Sequence, residues 1–125
     1  MKFEHAALNV PDAKAVADWW IEHCGMLNVR GEGGPPFFLA DASGRTILEI
    51  YSNEAAPIPD YAAQNPLTLH IAFAVEDAGA ERDRLAAAGA TLVSDAKTQD
   101  GTRLVMLRDP WGIALQLVQR KTPLP

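Results

Sequence analysis

Between residues 67 and 75 the chain alternates bulky apolar positions with small or polar ones. Leu69, Ile71, Phe73 and Val75 fall on one side, and Thr68, His70, Ala72 and Ala74 on the other. Successive strand side chains point to opposite faces, so the spacing predicts a strand over 68–75 with one packed face and one sparse face carrying His70. The same layout occurs 65 positions earlier. In residues 3–10, His5, Ala7 and Asn9 alternate against Ala6, Leu8 and Val10.

The rest of the pattern repeats with nearly the same offset. After the first strand, Asp12 is a natural N-cap for a helix over 13–24, with Val16, Ala17 and Trp20 on one face and Gly25 as its stop. Extended segments follow at 27–30, 37–40 and 45–51, the last two flanking the turn Asp41-Ala42-Ser43-Gly44. The second strand leads to Asp77, a helix over 78–88 with Leu85 inward, and Gly89. Strands are predicted at 91–97, 102–107 and 113–119, with turns at Asp100-Gly101 and at Asp109-Pro110-Trp111-Gly112. Matched caps, stops, turns and histidines point to an internal duplication, each half reading strand, helix, three strands. The repeats span about 1–52 and 67–120, and 53–66, with three prolines, is the linker.

Side-chain alternation also places the candidate chemistry. In 45–51, Leu48 and Ile50 oppose Ile47, Glu49 and Tyr51. In 113–118, Ile113, Leu115 and Leu117 oppose Ala114, Gln116 and Val118. With helices over the Leu/Ile faces, Glu49 and Gln116 share the uncovered side with His5 and His70. A carboxylate between Leu48 and Ile50 needs a partner. Two imidazoles, one carboxylate and one amide oxygen suit a divalent ion such as Zn, Ni, Co, Mn or Fe, with His5, Glu49, His70 and Gln116 as its ligands. Asn9, Tyr51, Arg103 and Trp111 are candidates for contacting a substrate.

Composition narrows the class. The 125 residues make one domain, and 48% hydrophobic with 22% charged residues is the balance of a globular protein. A net charge of −5 with no basic cluster argues against nucleic acid. The single cysteine, Cys24, excludes an intrachain disulfide. No apolar run reaches the roughly 20 residues of a membrane span, and the amino terminus lacks a signal-peptide layout. A cytoplasmic setting is expected.

Taken together, His5-Ala6-Ala7-Leu8-Asn9-Val10-Pro11-Asp12 and Asp109-Pro110-Trp111-Gly112-Ile113-Ala114-Leu115-Gln116-Leu117 resemble the vicinal oxygen chelate superfamily, which includes glyoxalase I, bleomycin-resistance proteins and extradiol dioxygenases. The resemblance implies an α+β fold of two tandem βαβββ modules, forming a U-shaped, partly closed mixed sheet around a metal with helices outside. It also implies a small-molecule substrate and a homodimer. Glyoxalase I of bacteria places His, Glu, His and Glu at the four ligand positions. His5, Glu49 and His70 match, whereas Gln116 stands at the final glutamate, and an amide cannot transfer the proton that glutamate carries. Glu49 is left as the candidate catalytic base. The resemblance thus implies a metal-dependent lyase or isomerase stabilising an enediolate. The alternative is a metal-free small-molecule-binding protein resembling the bleomycin-resistance members.

Overall fold

The computed structural model describes all of residues 1–125 and divides them into two compact units, Met1–Pro59 and Asp60–Pro125. In the first unit the order is β1 (Ala6–Asn9), α1 (Ala13–Cys24), β2 (Leu27–Arg30), β3 (Phe37–Ala40) and β4 (Thr46–Tyr51). The second contains a short 3-10 helix (Tyr61–Ala63), β5 (Ile71–Ala74), α2 (Ala78–Ala87), β6 (Thr91–Lys97), β7 (Arg103–Arg108) and β8 (Ala114–Gln119). Each unit is one four-stranded mixed sheet, ordered β1-β4-β3-β2 and β5-β8-β7-β6, and neither sheet closes on itself. The first and last strands of each module pair in parallel and the remainder are antiparallel. This is the expected α+β architecture.

The duplication extends to single hydrogen bonds. Asp12 and Asp77 adopt nearly identical backbone angles, and each accepts from the backbone N–H three residues on. A second acceptor comes from the end of the neighbouring strand: Ser52 Oγ takes the Ala13 N–H and Gln119 Oε1 takes that of Ala78, both at 3.0 Å. Two otherwise orphaned N–H groups are therefore satisfied at each helix start.

Core packing differs between the modules. Helix α1 buries Ala13, Val16, Ala17, Trp19 and Trp20, while Leu8, Phe37, Leu39, Leu48 and Ile50 are buried on sheet 1. Helix α2 buries only Ala78 and Leu85; Val105, Leu107, Leu115 and Leu117 form the buried face of its sheet. Full burial of one leucine contributes about 1.5–3 kcal/mol, so α2 depends on other contacts. Arg82 of α2 and Arg103 of β7 both bind Asp95 of β6, Arg103 through two bonds of 2.9 and 2.8 Å. The two guanidinium groups, Arg103 foremost, hold the Asp95 carboxyl at about 2.

The strands that carry the histidines are shorter than alternation predicts. Pairing with β4 begins at Ala6, and pairing with β8 begins at Ile71, so His5 and His70 immediately precede their strands. Before β5 the backbone turns: Thr68 N–H donates to Asn65 O and Leu67 N–H to Asn65 Oδ1, both at 2.9 Å. This local Asx geometry competes with extended pairing and leaves Leu67 and Leu69 exposed rather than packed. The 3-10 turn lies inside the segment read as linker, where Tyr61 is buried.

Candidate functional site

Register fixes which side chains share the face of sheet 1 turned away from α1. Ala7 and Phe38 lie opposite Glu49 from either side, and Asn9 lies opposite Tyr51. His5 extends this row beyond the strand end, and its Nε2 is 3.1 Å from Glu49 Oε2. The ring makes an edge contact with Phe38, centroids 5.6 Å apart at 86°. Its other nitrogen, Nδ1, is 2.8 Å from Glu4 Oε2.

Both neighbours of the His5 ring are hydrogen-bond acceptors, and a neutral imidazole donates from one nitrogen only. In the tautomer that gives its Nδ1 proton to Glu4, the Nε2 lone pair would face the Glu49 carboxylate. A shared cation satisfies that arrangement. The 3.1 Å spacing is also about that of two donors held roughly 2.1 Å from one ion at near a right angle.

In the second unit His70 Nδ1 lies 2.8 Å from Pro66 O. A carbonyl only accepts, so Nδ1 carries the proton and Nε2 is left with its lone pair. Pro66 O thus selects the Nδ1–H tautomer of His70, as outer-sphere groups do for metal-binding histidines, whereas carboxylates flank both ring nitrogens of His5. Gln116 is half-exposed on β8, opposite Ala72 and Met106. It lines a pocket of about 450 Å³ with Thr98, Asp100, Thr102 and Arg120. Glu4, His5 and Glu49 meet, but no three His, Cys, Asp or Glu side chains are arranged to hold a metal ion among them.

The four residues expected to touch substrate are placed as follows. Tyr51 lines a shallow pocket of about 280 Å³ with Glu49, Pro35, Pro36, Ser52 and Asn53. Asn9 is buried and bonded to its own unit: Nδ2 donates to Asn53 O and Ala56 O, and Oδ1 accepts from Asn53 N–H at 2.8 Å. Arg103 is committed to Asp95. Trp111 is half-buried in the turn that Asp109 organises by accepting the N–H groups of Trp111 and Ile113. Sequence reasoning passed over Glu4, Phe38 and Pro66. Strict alternation sets Glu4 opposite His5, and only the strand's late start lets them meet. Phe38 could have been found, since it alternates against Phe37 and Leu39.

A family profile, the Glyoxalase/Bleomycin resistance protein/Dioxygenase superfamily, matches residues 2–117. Among solved structures, a member of that superfamily from Sphaerobacter thermophilus is similar with a TM-score of 0.74 at 17% identity, covering 96% of this chain and 98% of the other. A lactoylglutathione lyase from Agrobacterium tumefaciens gives 0.68 at 20% identity, covering 96% and 94%. TnmS3, an antibiotic binding protein from Streptomyces sp. CB03234, gives 0.70 at 20%, covering 97% of each. No curated protein matches the chain.

Proposed function

We propose, since the chain belongs to the Glyoxalase/Bleomycin resistance protein/Dioxygenase superfamily, that it is a metal-dependent lyase or isomerase acting on a small molecule with two neighbouring oxygens. The observation that carries this reading is the His5–Glu49 pair at 3.1 Å, with His70 held by Pro66 O in the tautomer that presents Nε2. His5, Glu49 and His70 would hold a divalent ion, with Gln116 offering a carbonyl oxygen. Bound there, the ion would polarise the substrate oxygens.

The chain's own residues divide the remaining work. Glu4 and Pro66 fix the two imidazoles, and Phe38 walls the ring of His5. Glu49, on a half-buried strand position, is the carboxylate placed to take a proton from one substrate carbon and return it to the next. Gln116 cannot share that duty. The assembly is a homodimer in a cytoplasmic setting, which light scattering tests as twice the chain mass.

Elemental analysis of freshly purified protein, followed by a hemithioacetal assay, tests the reading. A bound divalent ion is expected, together with at least a hundredfold loss of turnover in Glu49→Gln, the scale of a lost general base. A metal-free protein whose activity survives Glu49→Gln would contradict it. The likeness to TnmS3 supports a second reading, a metal-free small-molecule binder. That protein would show neither bound ion nor turnover.

A further inference from the structure

Unit 1 has four basic side chains, Lys2, Lys14, Arg30 and Arg45, and eight acidic ones. Lys14 is paired with Asp18 on the exposed side of α1. The remaining three form no salt bridge: Arg30 lies on the sheet face that holds Glu49, and Lys2 and Arg45 lie together beside Glu4, the neighbour of His5. Arg30 lies opposite Phe38 in register, with its guanidinium carbon 5.8 Å from that ring's centre, and Phe38 in turn lies opposite Glu49. Arg45 immediately precedes β4, beyond the irregularity at Ile47 that shifts the β3–β4 register. It sits 5.8 Å over Phe3 and makes a single long bond of 3.4 Å to Phe3 O. In the second unit, Arg120 likewise forms no salt bridge, but the other four arginines are engaged. Arg82, Arg84 and Arg103 have carboxylate partners, and Arg108 is held by the carbonyls of Tyr61, Gln64 and Gly112.

An arginine held over an aromatic ring is positioned through its flat face. Its N–H edge then stays available for two parallel bonds to an oxyanion. Arg45 also borders, with Lys2, Phe3, Glu4 and Thr46, an open pocket of about 520 Å³ that adjoins His5 through Glu4. One acid, Glu4, lines it, and a second, Asp41, lies near Arg45. Glu4 is turned onto His5, and Asp41 meets Arg45 through a backbone bond and a weak through-space attraction. We propose that the ligand of the His5–Glu49 face is an oxyanion-bearing molecule, with its carboxylate or phosphate seated on Arg45 and Lys2. This assignment rests on the functional reading above for what the face does, and on the cation placement for what it recognises.

The test is an amide-resonance titration of metal-stripped protein with glycolate and, separately, inorganic phosphate, at constant ionic strength held with chloride. The expected result is saturable shifts at residues 2–5 and 45–47 with one or both anions, the stronger response identifying the class. Arg45→Gln should weaken that binding at least fivefold and Arg45→Lys less, while Lys97→Gln, on the exposed strand β6, leaves it unchanged. Absence of saturable shifts at these residues, or an Arg45→Gln protein that binds like the parent, overturns the proposal. Because neither metal nor turnover enters the readout, anion binding without metal binding would sink the enzymatic reading alone. The reverse would sink this one alone.

Discussion

At the scale of single residues, Asn9 shows how a polar side chain on the site face can be structural. Its amide closes three bonds to the backbone of Asn53 and Ala56, tying the segment after β4 to β1. Asn9→Ala would leave buried backbone groups without partners, which costs about 1–3 kcal/mol. A denaturant midpoint lowered by that amount is expected, and an unchanged midpoint would return Asn9 to the pool of ligand-contacting candidates. Gly112 makes a sharper case. Its φ is +88°, and an added Cβ would stand 2.7 Å from the backbone nitrogen of Ala62. Gly112→Ala therefore combines backbone strain of about 1–3 kcal/mol with a collision that backbone cannot easily relieve. A large fall in melting temperature is expected, with loss of the Arg108 clamp that joins Gly112 to Tyr61 and Gln64.

At the scale of elements, the duplicated caps, the glycine after α1 and the Leu/Ile faces of β4 and β8 were legible in the sequence, because each is a local signal. The ends of β1 and β5 were not. The alternation at 67–70 satisfies the strand template, yet the Asx turn at Asn65 wins over pairing there, and no periodicity reports that competition. Nor does it reveal that α2 has a thin apolar face supplemented by charge. Arg82, Asp95 and Arg103 join α2, β6 and β7, and the Asp95 carboxyl is lowered from an ordinary value near 4 to about 2. A depressed folded-state value contributes stability that is present above the unfolded value and is lost as pH falls through the folded one. The melting temperature of Asp95→Asn should therefore lie below that of the parent at pH 6. The gap should narrow between about pH 4 and pH 2 and close below it. A gap that persists at lower pH would show that Asp95 acts by packing instead.

At the scale of the whole molecule, each module carries its own candidate donors. Unit 1 holds the His5–Glu49 pair, and unit 2 holds Gln116 and a His70 whose Nδ1 is bound to Pro66 O. The candidate ligands His5, Glu49 and His70 were readable because they recur in a repeated pattern, and Gln116 stood out as the departure. Their orienting neighbours were not, since Glu4 and Pro66 act through the local backbone path. The central claim is that this set binds a divalent ion. The measurement that tests it most directly is thermal unfolding of metal-stripped protein with added Zn, Ni or Co, compared with His5→Ala and Glu49→Gln. An ion at roughly 100 times its Kd stabilises a folded protein by about 2.7 kcal/mol, several degrees in a domain of this size. The account predicts a rise of that order in the parent with at least one ion, abolished in His5→Ala and reduced in Glu49→Gln. A parent protein indifferent to all three ions would contradict it.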